Sequence, residues 1–341
     1  MIRIELDEPT LARTRIAISP LWETVNSIFL LDRHPENAPW PYDTWARHAR
    51  AVLAGFPPDA AIRIYFGLTR FPDFIQPVPP ASAPTIEEEL AILRATPAEV
   101  IDAQLADYEE LPHYDRFRPF VERREQALAE LADDLLAYHR AALGPWWPAM
   151  RAALDEEVLY RARALAMDGP DALLADLHER IRWERPILTL VKKVEHSFQA
   201  LDKRLLLVPL IFSRGALTCT TDDPHVVAVS YQARGAALLA DGPPDPRRDP
   251  DGLEILVGRG RAAVLRALRR PATTAGIATE LGLAPSTVSE HLSALAAAGV
   301  VHRRRVGRRV LYGLEPAGVA LVTLLGDETP QSRSGPYSRS A

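Results

Sequence analysis

Four groups of residues in this 341-residue chain have types and spacing that could do chemistry. In LEILVGRGRAAVLRAL, at 253–268, an apolar run leads into Gly258, Gly260 and Ala262. That spacing matches the G-x-G-x-x-A variant of the fingerprint in which a strand-to-helix turn holds a dinucleotide pyrophosphate. Glu195, His196 and Ser197 are the side-chain types of an orienting acid, a base and a nucleophile. Asp176, His178 and Glu179 offer oxygen and nitrogen donors to a metal. Finally, Arg303, Arg304, Arg305, Arg308 and Arg309 crowd into seven positions, the composition that neutralises phosphates.

Three of the four fail on geometry or context. Consecutive residues alternate across a strand, so 195–197 cannot assemble a catalytic triad locally. No H-E-x-x-H segment or second cluster supports a metal at 176–179, where capping or a solvated face is the expected role. A dinucleotide fold needs a βαβ unit and an acid about 20 residues after the glycines. Glu280 has that spacing but lies in ATTAGIATELG, a helical pattern, and the residues beyond Gly260 hold a single hairpin. The same letters then open an amphipathic helix. Glu156-Glu157 and Asp222-Asp223 read as surface and turn residues. The lone Cys219 forms no intrachain disulfide and is expected as a free buried thiol. Trp22, Trp40, Trp45, Trp146, Trp147 and Trp183 belong either to a core or to an aromatic pocket. No catalytic residue, metal or cofactor is expected, and the chain is not read as an enzyme.

The elements that would position the arginines lie in the last quarter of the chain. Residues 253–325 hold ten arginines and four glutamates, a surplus of six positive charges. The whole chain carries −5, so residues 1–252 carry a net charge of −11. A basic small domain on an acidic body points to a polyanion that meets only the small domain. DGPPDPRRDPDG at 241–252 reads as a linker, and 326–341 as a disordered tail. Hydrophobic residues make up 47% and charged residues 25%, ordinary for globular domains. MIRIELDE begins with acids where a secretory signal would be basic, and LLLVPLIF at 205–212 is too short to span a bilayer. A cytoplasmic protein with no membrane partner is expected.

Within 1–240, helical periodicity runs over 20–32, 41–54, 85–110, 117–143, 148–167 and 170–180. From 181 to 231, β-branched segments broken by polar turns predict a small antiparallel sheet. Beyond the linker the pattern is a helical array with a hairpin. Arg259–Leu268 forms a first helix stopped by Pro271. Thr273 caps a second that ends at Leu281, and Gly282 turns the chain into a third, which starts with Pro285 and stops at Gly299. On that third helix Val288, Leu292 and Leu295 fall within about 60° at about 100° per residue, so Ser286, Thr287, Ser289, Glu290 and Ser293 are expected to face out. His291 lies on the flank, as a phosphate contact or a packing residue. VVHRRRV and RVLYGL form a hairpin tipped by the five arginines. Pro316 begins a closing helix. Arg266, Arg269 and Arg270 are read as solvent-face residues.

In order and spacing, "RAAVLRAL" and "LGLAPSTVSEHLSALAAAGVVHRRRVGRRVLYGL" resemble the winged helix-turn-helix of the ArsR/SmtB class of bacterial transcription regulators. "ISPLWETVNSIF", "LYRARALAMDGPDALLADLHERIRW", "LLLVPLIFS" and "YQARGAALL" are similar to a long amino-terminal domain, of unassigned activity, that precedes such a winged helix in regulators of high-GC bacteria. The stretch TTAGIATELG lacks the cysteine pair of the class's thiolate metal sensors, Gly276 stands where relatives often have a glutamate, and Glu290 where they often have a basic residue.

The expected fold class is α+β: a helix-rich domain at 1–240 with a small antiparallel sheet, for dimerisation or effector binding, then the linker 241–252, a winged helix-turn-helix at 253–325 and the tail 326–341. With one copy of the motif per chain, a homodimer that binds double-stranded DNA at a pseudo-palindromic operator is expected, the amino-terminal domain holding the dimer together, binding a small-molecule effector, or both; the resemblance implies that it acts as a repressor. Ser286, Thr287, Ser289 and Glu290 would face base edges, and His291, Arg303, Arg304, Arg305, Arg308 and Arg309 would complete the contact surface. Two alternatives remain open: an enzyme with its site in 1–240 and an accessory winged helix, and a winged-helix protein-interaction module.

Overall fold

A computed structural model describes residues 1–68, 70–108, 114–175, 177–192, 195–214, 217–240, 252–306 and 309–325, without the side chains of Val306 and Arg309. The linker residues 241–251, the tail 326–341, Asp176 and Arg308 lie outside the described residues. The chain divides into two compact units, Met1–Pro244 and Asp245–Ala341.

The first unit is α+β. It begins with β1 (Ile2–Leu6), α1 (Glu8–Ala12), β2 (Arg15–Ile16), α2 (Pro20–Arg33) and α3 (Asp43–Ala54). There follow α4 (Ile86–Arg94), α5 (Ala98–Ala106), α6 (Arg118–Glu122), α7 (Arg124–Tyr138) and α8 (Trp147–Ala175). Five strands complete it: β3 (Ile181–Glu184), β4 (Ile187–Leu190), β5 (His196–Ala200), β6 (Arg204–Leu210) and β7 (Val226–Gln232). Local caps place these helices. The Ser19 hydroxyl accepts from the Trp22 N–H at 3.0 Å ahead of Pro20, and Thr85 with Glu88 closes a capping box on α4. Thr96-Pro97 splits the periodic stretch 85–110 into α4 and α5. Gly169, at φ +82°, and Pro170 interrupt α8.

The helix-rich α+β class holds, and the strands sort into two sheets. One has the order β3-β4-β1-β5, an antiparallel β3-β4-β1 ladder with β5 added in parallel to β1. The other, β2-β6-β7, is wholly parallel. Both enlist amino-terminal strands, which a reading of 181–231 alone as an antiparallel sheet omits. β6 and β7 are almost continuously buried, the state of strands covered on both faces, which parallel pairing goes with. In α2, twelve of fourteen residues are buried, so it runs through the interior rather than along the surface.

The second unit comprises α9 (Gly252–Val257), α10 (Arg259–Ala267), α11 (Thr274–Leu281), α12 (Pro285–Ala297), β8 (Val301–Val306), β9 (Arg309–Leu314) and α13 (Pro316–Leu325). Leu253, Val264, Leu265, Ile277, Val288, Leu292, Val301 and Val322 join in one core. No helix among the described residues is long and apolar enough to cross a membrane.

Candidate nucleic-acid interface

Two helices, a tight turn and a two-stranded hairpin build the site. The Thr273 hydroxyl accepts from the Gly276 N–H at 3.1 Å and opens α11. Gly282, at φ +64°, takes the left-handed conformation that closes α11 and aims the chain at α12, where Pro285 occupies the first turn. Val288, Leu292 and Leu295 anchor α12 in the core. Its opposite face presents Ser286, Ser289, Glu290 and Ser293 to solvent, with the Ser293 hydroxyl donating to the Ser289 carbonyl at 2.8 Å.

Thr287 corrects the sequence reading. It is 5% exposed, so it does not face out with its neighbours. On the wheel it lies between the exposed stripe and His291, on the flank where α12 packs against α10 and α11. His291 is half-buried, and a Cβ built on Gly260 of α10 would stand 2.7 Å from its Nε2.

In the hairpin, Arg303 faces Tyr312, Arg304 faces Leu311 and Arg305 faces Val310 across the ladder, and all three arginines are exposed. Arg309 begins β9; its side chain and all of Arg308 lie outside the described residues. The base of the hairpin is tied to the helices by reciprocal bonds between the backbones of Ala272 and Tyr312, at 3.1 and 2.8 Å. It is tied again by a His302–Glu315 contact at 3.4 Å. Exposed guanidinium groups beside a helix face of hydroxyls and one carboxylate divide the chemistry. The arginines supply sequence-independent phosphate attraction, and the helix supplies short donors and acceptors at base-edge height.

The glycines at 258–260 have no nucleotide to hold. Leu253–Val257 is a helix, not the strand that a pyrophosphate turn requires. Arg266 is not a plain solvent-face residue: its guanidinium pairs at 3.2 Å with Glu254, whose side chain is 8% exposed. Arg269 and Arg270 are exposed.

In the first unit, His196 and Ser197 sit exposed on β5, and the Nδ1 of His178 accepts from the Arg180 N–H. Among the described residues no group of three His, Cys, Asp or Glu could hold a metal. Trp22, Trp45 and Trp146 are fully enclosed in the core. Burial pushes the Cys219 thiol up to about 12. Asp223 accepts from the His225 and Val226 N–H groups as a turn residue. Glu157 is a correction: its side chain is 0% exposed and accepts from Arg161 at 2.7 Å and Arg234 at 2.6 Å.

Sequence reasoning also missed three carboxyls drawn into the interior, Glu23 and Glu89 buried and Asp73 half-buried. Glu23 accepts from the Ile211 and Phe212 N–H groups, Glu89 from the Ser19 hydroxyl and the Leu21 N–H, and Asp73 from the Thr221 and Asp222 N–H groups. Burial pushes them up to about 8, 8 and 7. In the sequence Glu23 and Glu89 are indistinguishable from ordinary first-turn helix acids. A cavity of about 520 Å³ is lined by Arg63, Arg116, Arg123, Asp59 and Glu130 and by the apolar Ile64, Phe66 and Phe120.

Comparison with known proteins bears on the second unit. A family model described as a helix-turn-helix domain matches residues 261–304, which run from α10 through α12 into β8. No curated protein and no solved structure matches the chain. The second unit is therefore a helix-turn-helix of the DNA-binding kind, extended by a hairpin wing and a closing helix.

Proposed function

We propose that this protein is a homodimeric, sequence-specific transcription regulator of the ArsR/SmtB type, acting in the cytoplasm as a repressor at a pseudo-palindromic operator. The observation that carries the reading is the juxtaposition on one small unit of the exposed Ser286, Ser289 and Glu290 face with the exposed arginines of the wing. In this reading α12 enters the major groove and the wing arginines, Arg308 and Arg309 among them, reach phosphates or the adjacent minor groove. Thr287 then positions the helix rather than reading a base, and His291 supports it from the flank. A single such unit covers too little of the duplex to specify a site, and a symmetric pair reading two half-sites meets that need.

The domain at 1–240 serves dimerisation and effector binding. The cavity lined by Arg63, Arg116, Arg123, Asp59 and Glu130 with the apolar Ile64, Phe66 and Phe120 supports the second role, since charged groups of both signs beside an apolar wall suit a small polar organic molecule.

Selection from a random duplex library with the full-length protein tests the reading. Enrichment of an inverted repeat, weakened when Arg303 and Arg304 are both changed to alanine, is the expected result. No enriched sequence, with or without cell extract as an effector source, overturns it.

A further inference from the structure

In most surface helices the side facing away from the core is polar. α8 departs from that pattern. Its core side carries Met150, Leu154, Glu157 and Arg161, all buried. About 180° round the helix lie Ala152, Glu156, Leu159, Arg163 and Ala166, at the alternating four- and three-residue spacing of a helix–helix seam. Leu159 is 71% exposed, and beside the seam Met167 is 70% and Tyr160 47% exposed. The Arg234 guanidinium stacks 3.5 Å from the centre of the Tyr160 ring and holds it in place.

The two charges in this apolar strip are opposite in sign, and among the described residues neither is paired within its own chain. Their placement is self-complementary. With two copies of α8 antiparallel about an axis between Leu159 and Tyr160, Glu156 of each copy meets Arg163 of the other. In the same register Leu159 meets Tyr160, and the long Met167 meets the small Ala152. A parallel alignment in register would instead set Glu156 against Glu156 and Arg163 against Arg163, and like charges in a seam reject that pairing. The unbroken part of the helix, from Trp147 to the break at Gly169, is long enough, since the stretch from 152 to 167 needs only about 22 Å of axis.

We infer that the outer face of α8 is the subunit interface of the homodimer proposed above, an isologous antiparallel contact with a second copy of this chain. The inference rests on the dimeric reading but not on DNA binding, and the test keeps the two apart.

Sedimentation of the full-length chain over a concentration series reads the contact, with circular dichroism to verify folding of each variant. Wild type is expected as a dimer. Glu156→Arg and Arg163→Glu, each creating two like-charge contacts per dimer, should each raise the dimer dissociation constant by about tenfold or more. The double variant E156R/R163E should restore it to within about threefold of wild type. Leu159→Arg should give a folded monomer. A monomeric wild type, a dimer indifferent to these changes, or two damaging single variants that the charge swap fails to rescue would each overturn the interface. A monomer that still enriches a DNA sequence sinks this interface and leaves the regulator standing. A swap-sensitive dimer that enriches no sequence confirms the interface and sinks the regulator.

Discussion

Gly260 on α10 lies directly beneath His291 on α12: a Cβ at position 260 would stand 2.7 Å from the imidazole Nε2 and 3.3 Å from Cε1. The glycine that looked like part of a nucleotide fingerprint is there so that two helices can meet around a histidine.

The contact makes Gly260→Ala a conditional substitution. Alanine gains about 1 kcal/mol of helix propensity over glycine, but here the gain is consumed in displacing the imidazole. In wild type the change should be neutral or destabilising, whereas in a His291→Ala background it should stabilise by about 1 kcal/mol. Denaturant melting of the four proteins of the cycle checks this, and purely additive effects would disprove the contact.

The wing should act through charge alone. Changing Arg303 and Arg304 to alanine removes two exposed guanidinium groups. Affinity should fall for all duplexes alike, and the slope of log K against log salt should become shallower by up to about 0.9 for each phosphate that is no longer neutralised. Titration at several salt concentrations measures this.

Glu290 should behave in the opposite way. It is the one charged side chain on the exposed face of α12, and a carboxylate repels phosphate but accepts from a cytosine amino group. Glu290→Ala should relax the preference at one base pair by about 1 to 3 kcal/mol of discrimination while the salt slope stays as steep as in wild type. Repeating the duplex selection with this variant reads that position directly.

The buried ion pairs of α8 predict a large stability effect. Glu157 accepts from Arg161, whose side chain is 7% exposed, and from the more open Arg234. Glu157→Ala removes the carboxylate that offsets the enclosed guanidinium, at a cost of about 3 to 5 kcal/mol in the first unit. Equilibrium unfolding followed by tryptophan fluorescence measures it, since Trp22, Trp45 and Trp146 report on that core.

Stability of the first unit should also depend on pH through Glu89, which is 1% exposed and pushed by burial up to about 8. A carboxyl raised in the folded state binds its proton more tightly there than in the unfolded chain. Its contribution is therefore full at pH 4 and is lost as pH rises from about 4.5 toward 8. Glu89→Gln keeps an acceptor for the Leu21 N–H and can donate to the Ser19 hydroxyl, so it should match wild type at pH 4. At pH 9 it should be more stable by about 1 to 4 kcal/mol. Thermal melts at the two pH values decide it, and an unchanged difference between them would refute the protonation argument.

The second unit was legible from its own letters because each boundary rests on a local backbone requirement. Thr273 supplies a cap acceptor, Gly282 a left-handed turn and Pro285 a first helical turn without an N–H, and none of these needs a distant partner. The wheel of α12 also placed Val288, Leu292 and Leu295 inward, as observed. It misplaced Thr287, because an angle on a helix says nothing about how widely the neighbouring helices wrap around it.

The first unit is different in kind. Helical periodicity located its helices from α2 to α8 but not the short α1, and its sheets join strands from opposite ends of the unit: β1 pairs with β4 and β5, and β2 with β6. The burial of Glu23 follows from the same long-range assembly, since its acceptor oxygens take up the N–H groups of Ile211 and Phe212, about 188 residues away in the chain. The sequence by itself determined the helix-turn-helix, its capping and the charge of its wing, all consequences of residues within a few positions of one another. Only the tertiary structure decided which carboxyls are buried, which glycine serves a neighbouring helix and which face of α8 is left bare, because each of these depends on what the folded chain brings alongside.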